Sequence, residues 1–162
     1  MGDMRVLGID PGYGRFGWAV LEGNRAKQAL IECGCEETAS DAASPQRYLT
    51  ILERLEGLLE EFKPEEAAVE TLFYFKNAKT VIKVSESRGV VVMGLARAKV
   101  KVHDYTPLQV KQAVTGYGRA EKSQVQTMVK AILKLKAVPK PDDAADAVAV
   151  ALTHLFTNQK MI

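Results

Sequence analysis

The sequence predicts an α/β protein with a five-stranded mixed sheet flanked by helices, formed as one domain over residues 1–162. Three observations predict it. Residues 5–36 divide into apolar runs separated by glycine-containing turns, the pattern of an antiparallel meander. Two further short apolar runs, 67–70 and 100–103, each follow a stretch of helical periodicity, as strands added through helical crossovers do. From Thr106 onward only helix signals remain. A chain of 162 residues can bury one sizeable core and leaves little for a second.

Taken in order, Arg5 to Asp10 reads as a short buried strand, followed by a turn at Pro11-Gly12-Tyr13-Gly14. Phe16 to Leu21 is the second strand, Gly23-Asn24 a hairpin turn, and 26–36 the third strand. Ser44 is the expected cap of a helix with Pro45 at its first position. Tyr48, Leu52, Leu55, Leu59 and Phe62 give that helix an apolar stripe, and Lys63-Pro64 ends it. Ala67-Ala68-Val69-Glu70 is a fourth strand closing on an acid. A helix is expected from Asn77 to Ala98. Its interior glycines, Gly89 and Gly94, cost roughly 1 kcal/mol each relative to alanine. Close approach of another helix is the expected compensation, and this helix is the candidate dimer interface. Val100 to His103 is the fifth strand. Thr106-Pro107 opens a helix that Gly116 closes, and another runs from Ala120 to Leu135. After a rigid Pro139-Lys140-Pro141 link, Asp142 is expected to cap the last helix, which ends near Phe156.

Composition narrows the function. No run of about 18 apolar residues is present and no secretory leader is visible, so a cytoplasmic protein without a membrane span is expected. Cys33 and Cys35, two apart on a strand, read as reduced thiols rather than a disulfide or a metal site. The net charge of +2 conceals a strong division: residues 1–70 carry −7, 71–140 carry +11, and 141–162 carry −2. A basic block of that size points to a polyanion, with nucleic acid the first candidate.

Four acids stand out. Asp10 and Glu70 end strands, where α/β sites are usually built. Asp143 and Asp146, three apart at the start of a helix, share one face. Two unneutralised carboxylates about 4 Å apart repel by about 4 kcal/mol at an effective dielectric near 20. If the four converge, they need a cation or a shared proton. Hard oxygen ligands suit magnesium or manganese, and a pair of such ions can drive phosphodiester hydrolysis. Taken singly, each acid has a plainer use: Asp10 in a turn, Asp143 at a helix cap. Phe73, Tyr74 and Phe75, beside Lys76 and Lys79, cannot all face inward, so at least one of them is available to stack on bases. Arg119 in its glycine loop suits a phosphate or plain solvation equally. His103 and His154 read as structural.

The residues also resemble a known family. Gly8-Ile9-Asp10-Pro11-Gly12 with Gly17-Trp18, Val69-Glu70 with Phe73, Gln109-Val110-Lys111-Gln112 with Ala120-Glu121-Lys122-Ser123-Gln124-Val125, and Asp143-Ala144-Ala145-Asp146-Ala147 are similar, in that order, to the motifs of RuvC Holliday-junction resolvases. The resemblance runs from about Met4 to Phe156. It implies an RNase H-like fold and a homodimeric, magnesium-dependent crossover junction endodeoxyribonuclease of DNA recombination and repair. Manganese is the expected substitute for magnesium. Each subunit would nick one of two strands of like polarity, leaving 5′-phosphate and 3′-hydroxyl ends. It further implies that Asp10, Glu70, Asp143 and Asp146 are catalytic metal ligands and that Lys111 and Lys122 act at the scissile phosphate or backbone. Phe73 would stack at the opened crossover, and a branch-migration helicase complex would be a partner. Tyr74, Lys76, Lys79 and Arg119 join Phe73, Lys111 and Lys122 as DNA-binding candidates. Thr71-Leu72 departs from the long polar residue common after the second acid, which bears on the family's preference for a short thymine-containing cut site. Three alternatives stand beside this reading. They are an ATPase sharing the Asp10-Pro11-Gly12 loop, a catalytically silent junction-binding scaffold, and a nuclease of RNA–DNA hybrids.

Overall fold

The computed structural model describes residues 2–71 and 78–157. Strands β1 (Met4–Asp10), β2 (Arg15–Gly23) and β3 (Gln28–Glu37) form the antiparallel meander. Helix α1 (Ser44–Phe62) leads into β4 (Glu66–Glu70), and α2 (Ala78–Arg97) into β5 (Lys101–Tyr105). Helices α3 (Pro107–Thr115), α4 (Lys122–Ile132) and α5 (Asp142–Thr157) complete the chain. The sheet order is β3-β2-β1-β4-β5, with β4 parallel to β1 and β5 parallel to β4.

Alternation along the strands sends side chains to two separate cores. Leu7, Ile9, Trp18, Val20, Ala67 and Val69 pack against α1 and α2 through Ile51, Leu55, Leu58, Val91 and Leu95. Met4, Val6, Ala19, Leu21 and Ala68 face α5, with Val110 and Val114 of α3 and Val129 of α4. Helix α5 is the central support of this second layer: 11 of its 16 residues are buried. It can lie so close to the sheet because β1 has no side chain at Gly8, under the helix backbone. A Cβ at Gly8 would stand 2.2 Å from the Ala147 carbonyl oxygen.

Several expectations shift by a residue or a face. Ser44 is the first residue of α1 rather than its cap; Ala43 is the cap, and the Ser44 hydroxyl bonds Tyr13 and Lys83 instead. The deepest stripe of α1 is Ile51, Leu55, Leu58 and Phe62, rotated from the expected one. The β2–β3 turn spans four residues, since Asn24 N–H donates to the Lys27 carbonyl and the Asn24 side chain accepts from Ala26 and Lys27, so β3 starts later than 26. Helix α4 starts at Lys122, where the Glu121 N–H donates to Gln124, and ends at Ile132. Asp142 opens α5 from inside the helix; its carboxylate meets Lys122 and Gln126 rather than capping. Gly94 is close-packed within the chain: a Cβ there would meet Leu55 of α1 at 2.8 Å, whereas Gly89 has nothing within 4 Å.

Candidate active site

Strand alternation decides where the first two acids point. Gly8 of β1 and Ala68 of β4 face α5, so Asp10 and Glu70, two residues further along each strand, face it as well. The register pairs Asp10 with Gly17 of β2. At Gly17 a Cβ would lie 2.2 Å from the Asp143 carbonyl oxygen, so the first turn of α5 rests on that bare backbone, beside Asp10. Asp146 follows within one helical turn. The motif glycines 8 and 17 thus bring the helix-borne acids to the strand-borne ones.

The electrostatics register this convergence. Burial, then the charges of Glu70, Asp146 and Asp143, push the Asp10 carboxyl up to about 8, with Lys122 opposing. Burial and Asp146 push Glu70 up to about 7, against Lys122 and Lys111. Burial also raises Asp146, with Lys122 pulling the other way. For Lys122, burial acts to lower the pKa, but the charges of Asp146 and Asp142 outweigh it and hold the ammonium above its ordinary value. Its Nζ lies 3.4 Å from Asp146 and 3.5 Å from Asp142. Acidic charge exceeds the basic charge that neighbours it, and every acidic donor is a hard oxygen. That set fits magnesium or manganese.

An open cavity of about 230 Å³ adjoins the acids, lined by Glu70, Lys111, Lys122 and Asp146 with Pro107, Val110, Val125 and Ala149. Lys111 reaches it from α3, whose start is fixed by Thr106 and Gln109 bonding each other's backbone. Gln109 is therefore occupied in the cap. Arg119 and Lys79 are exposed and do not line this cavity. Phe73, Tyr74, Phe75 and Lys76 lie outside the described residues. Cys33 and Cys35 are free thiols, raised by burial, Cys35 to about 11.

Two features escaped the sequence reading. Arg15 Nη1 lies 3.6 Å from Asp143, because the tight β1–β2 connection turns it back over the strand end. Its place five residues after Asp10, across a turn, was the available signal. Beside the same connection, the Arg47 guanidinium stacks over Tyr13 at 3.8 Å and Lys83 stands 5.4 Å from that ring. A second group of possible metal ligands, Glu66, His103 and His154, has its ligand atoms within 4.8 Å of one another, away from the four acids.

A family description, crossover junction endodeoxyribonuclease RuvC, matches residues 6–154. The chain belongs to the RuvC family. The RuvC of Finegoldia magna is 50% identical over 153 residues, covering 94% of this chain and 93% of the relative. That of Petrotoga mobilis is 51% identical over 151 residues, covering 93% of each. Among solved structures, Thermus thermophilus RuvC in complex with a Holliday junction superimposes with a TM-score of 0.91 at 39% identity, over 94% of this chain and 93% of that one. The RuvC fold seen here is RNase H-like, a five-stranded mixed sheet with helices on both faces. A yeast mitochondrial Holliday junction resolvase shares it at 15% identity and a TM-score of 0.72, over 94% of this chain and 78% of that one, a likeness of fold alone. Membership of the RuvC family leaves no ground for the ATPase alternative. Among the described residues no helix is long and apolar enough to cross a membrane.

Proposed function

We propose that this chain resolves four-way DNA junctions during recombination and repair, hydrolysing two strands of like polarity at a site built from Asp10, Glu70, Asp143 and Asp146. The observation that carries the reading is the convergence of these acids, with Asp10 raised by burial and then by the charges of the other three, beside a cavity with two lysines. Magnesium, as a pair of ions with manganese as substitute, would be held by the four carboxylates and would supply an activated water and charge stabilisation at the leaving 3′ oxygen. The protein's own contribution is positional. Asp10 and Glu70 are set by strand ends, Asp143 and Asp146 by the first turn of α5. Lys122, charged and already beside Asp146, and Lys111 across the cavity hold the scissile phosphate. The resulting ends are a 5′-phosphate and a 3′-hydroxyl.

Residues 71–140, at +11, carry the DNA-binding surface. Within it Phe73 stacks on a base at the crossover, worth about 1–3 kcal/mol, while Tyr74, Lys76, Lys79 and Arg119 contact the surrounding strands. The chain acts as one domain and pairs with a second copy through the outer face of α2, where Ile82 and Met93 are each 56% exposed and Gly89 is open. Two copies supply two sites, one for each strand cut. A branch-migration helicase in the cytoplasm would deliver the junction.

The decisive experiment incubates the protein with a synthetic four-way junction, a linear duplex and an RNA–DNA hybrid, each with and without magnesium. Paired, symmetric nicks confined to the junction and dependent on magnesium are expected. Equal cutting of all three substrates would refute the reading, and binding without cutting would leave the scaffold alternative.

A further inference from the structure

We propose that Glu66, His103 and His154 form a second divalent-metal site, of the zinc class, that joins β4, β5 and α5 at the end of the molecule away from the four acids. Strand alternation sends Glu66 to the α5 face of the sheet, as it does Ala68 and Glu70. Four residues separate Glu66 from Glu70, about 13 Å along the strand. Eight separate His154 from Asp146, about 12 Å along the helix. The two sites therefore share elements but no ligands.

Both histidines bring Nε2 close to one carboxylate oxygen. His154 Nε2 lies 2.6 Å from Glu66 Oε2, and His103 Nε2 lies 2.9 Å from the same atom. The imidazole rings stand 4.4 Å apart, centre to centre. His103 Nε2 is closed off from solvent and, among the described residues, has no hydrogen-bond partner in line with its ring.

The surrounding hydrogen bonds hold the His154 ring by its other nitrogen, Nδ1. The Thr157 hydroxyl donates to the Thr153 carbonyl at 2.8 Å. Its oxygen also shares a hydrogen bond with the Tyr105 hydroxyl at 3.0 Å. The Tyr105 hydroxyl is in turn hydrogen-bonded to His154 Nδ1 at 2.6 Å. His154 Nε2 meets Glu66 Oε2 in a hydrogen bond, and a bound cation would take the place of its proton. A metal-bound histidine whose other nitrogen is tied in this way is the usual arrangement.

Two imidazole nitrogens and one carboxylate oxygen suit zinc far better than magnesium. Tetrahedral zinc with bonds of roughly 2.0–2.1 Å holds its ligand atoms roughly 3.3 Å apart, so Glu66 needs to draw back from the two Nε2 atoms by less than about 1 Å. His154 is almost wholly enclosed, with 1% of its side chain exposed, while His103 has 25%. Water for the fourth position would have to enter from the His103 side, the less enclosed of the two imidazoles. Bound there, zinc would fasten the far end of α5 to β4 and so steady the helix that carries Asp143 and Asp146.

The test uses tag-free, metal-stripped protein in excess magnesium, titrated with zinc by calorimetry and with cobalt(II) by visible absorption. Expected are one equivalent of zinc, a strong tetrahedral cobalt spectrum, and a rise in Tm on adding zinc. All three should disappear in His103→Gln and in Glu66→Gln, with folding checked by circular dichroism, and persist in the double variant Asp143→Asn, Asp146→Asn. Weak octahedral cobalt absorption in the parent protein overturns the proposal without any variant. So does zinc binding that survives both His103→Gln and Glu66→Gln, or that is lost with the two aspartates.

Discussion

Removing the charge from Asp10 separates two of its effects. Asp10→Asn deletes one hard oxygen ligand, so junction cutting should fall by several orders of magnitude while junction binding in a gel-shift assay stays near the parent's. The same change relieves a carboxyl that burial, and then the charges of Glu70, Asp146 and Asp143, push up to about 8. In the metal-free protein, Asp10 and Glu70 have folded pKa values above their unfolded ones. They therefore support stability at acid pH, and that support is lost progressively as the pH rises from the ordinary carboxylate range up to about 7 for Glu70 and about 8 for Asp10. Without divalent ions, Tm should fall across this window, magnesium should restore it, and Asp10→Asn should flatten the fall; a pH-independent Tm would contradict the proposed crowding of charge. These two acids were legible because each closes an apolar run that reads as a strand. Arg15 was not, since its approach to Asp143 depends on how the hairpin folds back and on where α5 lands. Ser44 and Asp142 were misread for a related reason. Both are good capping residues by type, but each side chain found a tertiary partner instead.

At the scale of elements, the contact between α5 and the sheet sets the site's geometry. Gly17→Ala would drive a methyl group into the Asp143 carbonyl, a backbone atom with nowhere to go. Overpacking of this kind costs about 1–3 kcal/mol and here also displaces two acids. Thermal melting should show the stability loss, and cutting should fall more than junction binding does; normal cutting would mean that α5 is not seated as described. Gly89→Ala provides the control, because that position is open and alanine favours a helix by roughly 1 kcal/mol. Thermal melting should show it to be neutral or stabilising in the single chain. The sequence marked both glycines of α2 as sites of close approach, yet only Gly94 meets α1. Residue type cannot say which side of a helix a neighbour occupies. The stripe of α1 failed similarly: several leucine-containing stripes satisfy helical spacing, and packing against β1 and β2 selects the one through Ile51 and Leu58.

For the whole molecule, the separation of charge and of apolar surface governs assembly. The +11 block should make junction affinity fall steeply and linearly with salt on logarithmic axes. Ile82→Asp or Met93→Asp places a charge in the outer face of α2, and sedimentation should then show monomers where the parent gives dimers. A parent that sediments as a monomer at micromolar concentration would dismiss that interface. The strand count, the antiparallel start and the later parallel additions were readable from apolar runs and their spacing. The sheet order and the crossing of α5 were not, because they depend on which glycines leave room and on contacts far apart in sequence. The enclosure of α5 has one more consequence. A helix with 11 of 16 residues buried holds its backbone amides away from water until the surrounding layers separate. Its amide protons should be among the slowest in the molecule to exchange with deuterium, close to the limit set by complete unfolding. The two aspartates are then borne on the part of the chain that opens last, so local fluctuations of the outer helices leave them in register.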